Sequence, residues 1–384
     1  MEYIRNIRRS FKLKNYVNYI AIVAAIILCF ILKTFGVFGR SEVGLLPQIA
    51  YSIILAISLN LVVGFLGELS LGHAGFMCVG AYIGCFCGKE LMPHIGNSLV
   101  TIIISMLIGG IVAAIFGLLI GIPTLRLKGD YLAICTLAFG EIVRNIFNNL
   151  PFFGAAKGLQ TASISYNDNL YLVSFAVVLL TVFIVQNLIK SKHGRAITAI
   201  RDNEIAARAM GINVVYYKLF VFVVAAFFAG VAGVIYGFQV SPIKQEFFSY
   251  NYSIEILVMV VLGGMGSIGG SIIAATLITY INFVLQDQLS GELAALKLLI
   301  YAIILITIVI FSNAPALKPL RERFNFKALL RRITRAHKKP EHISDDDAEW
   351  NRVETKIKMD ELLSVDFQNS KAYIPDQKPK KEDK

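Results

Sequence analysis

The chain has 384 residues, of which 56% are hydrophobic and 16% are charged. A soluble domain is closer to half apolar and a quarter charged, and here the apolar excess lies in blocks of about 20 residues, the length of a membrane-spanning helix. Such blocks exclude the strands of a membrane β-barrel, which alternate over about 10 residues. The net charge of +11 lies in the termini and in loops beside apolar blocks, where cations set membrane orientation and do not indicate a nucleic-acid partner.

The sequence predicts an all-α polytopic membrane protein, a helical bundle of about 8–10 transmembrane segments with broken or re-entrant helices. A basic cytoplasmic N-terminus (1–16) precedes a transmembrane domain (17–312), and a basic and polar cytoplasmic tail (313–384), largely disordered, follows. The first span is expected to stay uncleaved, because no small-residue cleavage site follows it. In chain order, the predicted spans are 17–34, 44–65, 74–88, 97–121, 129–149, 169–189, 217–240, 253–285 and 293–311.

Charge in the connectors predicts which side of the membrane each one faces. The cationic connectors 122–130 and 190–218 should lie in the cytoplasm, and the outer connectors should be 36–43, 89–96, 150–168 and 241–252. One crossing for each span would leave the cationic tail outside. The run 253–285 is therefore predicted to be a re-entrant hairpin of two half-helices.

The middle of this run reads VLGGMGSIGGS, and glycine at that density weakens a helix. It contains a match to G-x-G-x-x-G, but the dinucleotide motif needs a βαβ unit that a membrane run does not provide. The glycines are instead predicted to form a helix break. The residues of this break, which are also candidates for a translocation pathway, are Gly263, Gly264, Gly266 and Ser267.

Small residues recur every four positions in three spans. In lipid, such stripes let helices approach closely, so they predict a tightly packed bundle and not a site. The stripes are Gly80, Gly84 and Gly88; Gly109, Ala113, Gly117 and Gly121; and Ala225, Ala229, Gly233 and Gly237.

The stretch LGELSLGHAGF, residues 66–76, places polar groups between two apolar runs. Ionisable groups are costly in lipid and mark functional positions, and interrupted helices offer free backbone N–H and C=O groups. Glu68, Ser70 and His73 are therefore candidate pathway residues. Two roles stay open for them: contact with a polar solute, or bracing of the helix break by hydrogen bonds.

A second polar cluster lies in the predicted span 129–149. Glu141 and Arg144 are three residues apart, so they can pair on one helix face, and Asn145 follows them. The pair is either a structural salt bridge near a helix end or part of a polar pathway.

The connector GRAITAIRDNEIAARAMGIN, residues 194–213, is alanine-rich and mixed in charge. It predicts a short, rigid helix on the cytoplasmic face, the kind of element that a mechanical contact to a cytosolic partner needs. Asp202 can cap a helix start, and Gly211 suits the left-handed residue after a helix end.

No phosphate-binding G-x-x-x-x-G-K-[ST] loop, nucleophile elbow, zinc-protease motif or cysteine–histidine cluster occurs in the sequence. The chain is therefore predicted to be no enzyme and to hold no metal and no cofactor of its own.

Four segments resemble the branched-chain amino-acid ABC transporter permeases, and most closely their M-type subunits from high-affinity importers. They are GELSLGHAGF (67–76), TLRLKGDYLAICTLAFGEIVRNI (124–146), GRAITAIRDNEIAARAMGIN (194–213) and VLGGMGSIGG (261–270). The third resembles the coupling loop of ABC importers, whose signature is E-A-A, three residues, then G. Ala206, Ala207 and Gly211 fit that signature, whereas Glu204 lies one position early and Ile205 stands in its place.

The resemblance implies a membrane subunit in the cytoplasmic (inner) membrane of a prokaryote, with both termini cytoplasmic. It implies an H-type permease partner, an extracytoplasmic solute-binding protein, and two cytosolic ATPase subunits that bind ATP and Mg. The residues implied in coupling to the ATPases are Gly194, Arg195, Arg201, Asp202, Glu204, Ala206, Ala207 and Gly211.

Two alternatives stay open. The same architecture could move another small polar solute, such as urea, a nucleoside or an amide. An ion-coupled secondary transporter would use Glu68, His73 and Glu141 as a proton relay, although the coupling-type loop argues against it.

Overall fold

The computed structural model describes residues 40–127, 129–161 and 170–288, together with residues 302, 303 and 306. The predicted N-terminus, the first span and the tail lie outside the described residues. Of the last predicted span, 293–311, three residues are described.

The described residues form helices and loops, with an isolated bridge between Leu159 and Ile243, and this confirms the predicted all-α fold for that part of the chain. Each predicted apolar run within the described ranges is helical, and the observed ends lie within four residues of the predicted ones, except that the helix predicted over 74–88 continues to Ile95. The helices are α1 (Arg40–Asn60), α2 (His73–Ile95), α3 (Ser98–Thr124), α4 (Asp130–Asn149), α5 (Leu170–Lys190), α6 (Lys192–Asp202), α7 (Glu204–Ala209), α8 (Val214–Gln239), α9 (Tyr250–Gly263) and α10 (Ile268–Gln288).

Five helical segments within the described ranges are long and apolar enough to cross a membrane. They are Val43–Leu66, Ser98–Thr124, Leu170–Lys190, Val214–Gln239 and Ile268–Gln286. The first consists of most of α1 and the π-helical turn Leu61–Leu66 that continues it.

Helices α2, α3 and α8 pack around one another through their small residues. A Cβ added at Gly109 of α3 would lie 2.9 Å from the carbonyl oxygen of Gly80 in α2, and one added at Gly230 of α8 would lie 2.7 Å from the carbonyl oxygen of Gly109. A Cβ at Gly80 would overlap the backbone of Gly230. The predicted close packing of these stripes is therefore confirmed, and backbone-to-backbone contact is what the glycines permit.

The run 253–285 is broken, as predicted, at Gly264–Ser267. Gly264 and Gly266 have φ values of +89° and +80°, a region that glycine enters without strain. A Cβ added at Gly263 would lie 2.5 Å from the carbonyl carbon of Gly270, so α9 and α10 leave the turn in contact.

The prediction of two half-helices is right for the first arm of this hairpin and wrong for the second. Helix α9 has 14 residues and is about 21 Å long, shorter than the roughly 30 Å hydrocarbon core. Helix α10 has 21 residues, about 32 Å, because the glycines end at Gly270 and an uninterrupted apolar run follows.

Candidate functional site

The predicted helix break at residues 66–76 is present. The π-helical turn ends at Gly67, which has a φ of +83°, and the chain then runs without helical structure until α2 begins at His73. The loosened turn leaves the carbonyl oxygen of Gly64 free to accept a hydrogen bond from the Arg201 guanidinium at 3.2 Å.

Neighbouring helices supply partners for the backbone of this break. The Leu71 N–H donates to the Thr136 hydroxyl of α4 at 3.0 Å, and the Ala74 N–H donates to the Ser253 hydroxyl of α9 at 3.1 Å. Gly72 lies so close to α4 that an added Cβ would be 2.5 Å from the Thr136 carbonyl oxygen. Non-helical backbone at membrane depth is tolerated where protein buries it in this way.

The three candidate side chains of the break have different surroundings. The Glu68 carboxylate pairs with the Lys218 ammonium of α8. Nε2 of buried His73 lies 2.7 Å from the Ser58 hydroxyl, which itself donates to the Leu55 carbonyl oxygen. Because a hydroxyl has one proton, the imidazole must be the donor to Ser58.

Ser70 is the third of these side chains. It is 1% exposed, and its hydroxyl has no hydrogen-bond partner among the described residues. An unsatisfied buried hydroxyl is unfavourable, so this group retains the capacity to bind a polar ligand.

The second break lies against the first. The Asn60 side-chain amide donates to the Ser267 carbonyl oxygen at 3.2 Å and to the Ser271 hydroxyl at 2.8 Å, and its oxygen accepts from the Gly266 N–H at 2.9 Å. Asn60 was missed by sequence reasoning. The available signal was an amide side chain in a largely apolar run, six residues before the first break begins at Leu66.

The connector 194–213 contains two helices, α6 and α7, where the sequence predicts one. Asn203 separates them with an extended backbone, and its side chain accepts from the Ala206 N–H at 3.0 Å. The prediction that Asp202 caps a helix start is wrong, since Asn203 is the N-cap of α7. Asp202 is the last residue of α6, whereas an N-cap needs a non-helical backbone, and its carboxylate accepts from Arg201 at 2.9 Å instead.

The end of α7 confirms the prediction for Gly211. Gly211 has a φ of +80°, and its N–H donates to the Arg208 carbonyl oxygen at 3.0 Å, as expected for the left-handed residue after a helix.

The helix pair, defined as α6, α7 and the C-cap residue Met210 of α7, presents apolar side chains outward. Ile205 is 80% exposed and Met210 is 82% exposed, while Ala206 and Arg195 are also exposed. The other side of the pair is seated on the bundle: Ala207 is buried, and a Cβ at Gly194 would overlap the backbone of Ile189.

A chain of ion pairs joins the helix pair to the first break. Lys218, in the second turn of α8, is 4% exposed and pairs with Glu68 and, at 3.3 Å, with Glu204 of α7. Glu204 also pairs with Arg208 at 2.6 Å. In the sequence, Lys218 was assigned only to the cationic connector. The signal that marks it is its position inside the apolar run 217–240, where ionisable residues are functional by default.

These ion pairs are reachable from outside the bundle. A pocket of about 390 Å³ lies between the end of α3, α7 and the start of α8. Its wall includes Arg126, Glu204, Arg208 and Lys218.

Glu141 and Arg144 pair on one face of α4 at 2.6 Å. Glu141 also accepts from the Tyr250 N–H at 3.1 Å, and its carbonyl oxygen accepts from the Asn145 side chain at 2.8 Å. The structure places this cluster at the start of α9, at the opposite end of that helix from the Gly264–Ser267 turn.

Residues 41–309 match the family model described as "Branched-chain amino acid transport system / permease component". The chain belongs to this family of branched-chain amino acid transport permeases. The resemblance found in the four sequence segments is thereby confirmed. Members of the family are transport permeases, which are not enzymes, and the apolar helices make this permease a multi-pass membrane protein.

Individual relatives of this permease carry LivM and LivH names. It is 34% identical to the high-affinity branched-chain amino acid transport system permease protein LivM of Salmonella typhimurium over 281 residues, 65% of this chain and 64% of the relative. It is 26% identical over 250 residues to a probable LivM of Methanocaldococcus jannaschii, 56% of this chain and 72% of the relative.

The permease is 22% identical to LivH of Salmonella typhimurium over 276 residues, 64% of this chain and 88% of the relative. The match to the Salmonella LivM spans less than two thirds of that protein's length. No solved structure matches the chain.

Proposed function

We propose that this permease is the M-type subunit of an ATP-driven importer that moves leucine, isoleucine and valine across the cytoplasmic membrane of a prokaryote. The names of the LivM and LivH relatives support a branched-chain amino acid as the solute and an H-type permease as the partner. Two ATPase subunits would bind ATP and Mg, and an extracytoplasmic binding protein would deliver the solute. Both termini would lie in the cytoplasm.

The observation that carries the proposal is the form of the helix pair α6–α7. It combines exposed apolar side chains at Ile205 and Met210 with a buried side fixed to the bundle. An element of this kind can dock into a groove on an ATPase and follow its movement as a rigid body. Arg201 of the same element donates to the Gly64 carbonyl oxygen in the π-helical turn that leads into the first break. Glu204 reaches Glu68 of that break through Lys218 of α8.

The two adjoining breaks are the proposed passage. Interrupted helices present free backbone donors and acceptors, and helix ends suit the ammonium and carboxylate of a zwitterion. The buried Ser70 hydroxyl adds a side-chain group that can bind the solute.

The test is transport by the complete complex in proteoliposomes, with its ATPases, its permease partner and a solute-loaded binding protein. The expected result is uptake of labelled leucine that requires internal ATP and does not respond to a proton gradient. ATP-driven uptake of urea, a nucleoside or an amide in place of leucine would reject the assigned solute. Uptake that follows a proton gradient without ATP would reject the importer itself.

A further inference from the structure

We propose that Lys218 is a positioning residue that transmits movement of α7 to the first helix break, an inference that rests on the proposed function. Lys218 bridges two carboxylates, Glu204 on the helix pair and Glu68 in the break.

The ion pairs of Lys218 with Glu68 and Glu204 differ from surface ion pairs because they are largely buried. Lys218 is almost fully enclosed, and the side chains of Glu68 and Glu204 are 13% and 19% exposed. A buried ammonium must remain paired, and solvent screens such a pair far less than an exposed one. A change at either carboxylate therefore acts on the other through Lys218.

The two contacts differ in a way that suits a switch. Lys218 holds Glu68 closely, whereas its distance to Glu204 is 3.3 Å. If α7 moves away from α8, Glu204 can leave while Glu68 still neutralises the ammonium. The Glu204–Lys218 contact can then break and re-form while the buried ammonium stays paired. In one state Glu68 and Glu204 both pair with the ammonium, and in the other Glu68 pairs with it without Glu204.

The pocket beside α7 gives this movement room. Glu204 and Lys218 both lie in its wall, and the Arg208 side chain that also holds Glu204 is largely exposed. Glu204 is therefore held between a buried cation that belongs to the bundle and an exposed cation that belongs to its own helix.

The decisive variant is Glu204→Gln in the complete, reconstituted complex. It removes one partner of Lys218 and leaves Glu68 as the other, so the complex should assemble in wild-type amount. The control is Asp130→Asn, which makes the same change from carboxylate to amide at the first residue of another helix, α4, where the side chain is exposed.

The measurement is the number of ATP molecules hydrolysed for each leucine imported, which a purely structural residue would not change in assembled complexes. We expect Glu204→Gln to raise this ratio at least about fivefold, the lower end of a typical coupling between sites. Asp130→Asn should leave it unchanged. An unaltered ratio in Glu204→Gln, or a lower yield of complex with a normal ratio, would overturn the role of Lys218.

A second comparison tests whether both carboxylates act through the same ammonium. Lys218→Met should also raise the ratio, and adding Glu204→Gln to it should change nothing further, because residues that share a partner are not additive. Additive effects would overturn the inference. The inference about Lys218 alone is wrong if the wild-type complex imports leucine with ATP and these variants keep the wild-type ratio. The inference and the proposed function are both wrong if the wild-type complex shows no ATP-driven import.

Discussion

Single polar residues hold the broken segments in place, and Asn60 and Lys218 do so with partners far away in the sequence. Lys218, for example, lies 150 positions from Glu68. Burying an ion costs several kcal/mol, and that cost is offset only while the ion remains paired. Removing Glu68 would leave the ammonium with the more distant Glu204 alone.

We therefore expect Glu68→Gln to destabilise the folded permease by about 3 kcal/mol, near the lower end of the range for a broken buried pair. Thermal unfolding of the detergent-solubilised protein measures this. Asp202→Asn breaks an exposed ion pair and should cost less than about 1 kcal/mol. Equal melting temperatures for the two variants would contradict the buried character of the Lys218 pair.

Variants of Ser70 and His73 should distinguish the two roles that stayed open for the first break, contact with the solute and bracing of the break by hydrogen bonds. Ser70→Ala removes a hydroxyl that has no partner among the described residues, so we expect normal assembly and slower leucine uptake. His73→Ala removes the donor to Ser58 and leaves a cavity in the core, so we expect less assembled complex. Uptake at the wild-type rate in Ser70→Ala would exclude a solute contact for that hydroxyl.

Sequence reasoning identified the polar residues of the break itself but not those that secure it. Glu68, Ser70 and His73 stand out because they interrupt an apolar run. Asn60 and Lys218 act through contacts with segments more than a hundred positions away, and no local pattern announces such a contact.

At the scale of helices, the sequence predicted the positions of the spans better than the interruption within the connector 194–213. Apolar runs determine where a span begins and ends, so the described helix ends differ from the predicted ones by at most four residues, except at α2, which continues to Ile95. The joint at Asn203 was missed because alanine-rich sequence favours one continuous helix, and the asparagine side chain instead caps a new one.

The exposed face of the helix pair gives a prediction for docking. Met210→Asp places a charge on a side chain that is 82% exposed, so folding should be unaffected while ATPase binding falls at least about tenfold. Co-purification of the ATPase subunits with tagged permease measures this. Phe152→Asp is the matched control, since Phe152 is equally exposed but lies on a connector predicted to face outside. Full retention of the ATPases by Met210→Asp would argue against docking through this face.

The contact among α2, α3 and α8 predicts a strict requirement for glycine. Gly80→Ala would force the α2 and α8 backbones apart, at a cost of about 1–3 kcal/mol or more, as is typical of overpacking. The folded fraction, measured by size-exclusion chromatography of a fluorescent fusion, should fall. Gly44→Ala in α1, where nothing lies within 4 Å of the added Cβ, should fold normally. Equal folded fractions for the two variants would contradict a close contact between the α2 and α8 backbones at Gly80.

At the scale of the whole molecule, the two helix breaks and the helix pair lie together at one end of the bundle. Glu141 lies at the start of α9, at the opposite end of that helix from the Gly264–Ser267 turn. The hairpin turn is close to the first break: Gly266 bonds to Asn60, and Gly64 accepts from Arg201 of the helix pair. The sequence placed these motifs on separate spans, and only their packing shows that they meet.

This arrangement predicts the membrane side of the hairpin turn. Met265 is exposed in the turn and lies on the side of the helix pair, so a cysteine at this position should react with a membrane-impermeant thiol reagent from the cytoplasm. A cysteine at Phe152 should react from the outside. The labelling is measured in intact cells and in inverted vesicles; reaction of the Met265 cysteine from the outside alone would reverse the proposed orientation.

The backbone contact between α2 and α8 also bears on how the protein is made. Cys85 in α2 and Val234 in α8, which share a hydrogen bond, are 149 positions apart. At a synthesis rate of roughly 5–20 residues per second, α8 emerges roughly 7–30 s after α2. During that interval α2, which is not one of the five described segments apolar enough to cross a membrane by composition, has α3 and α4 as neighbours that are already synthesised. The order of synthesis thus leaves α3 and α4 to retain α2 in the bilayer until α8 is made.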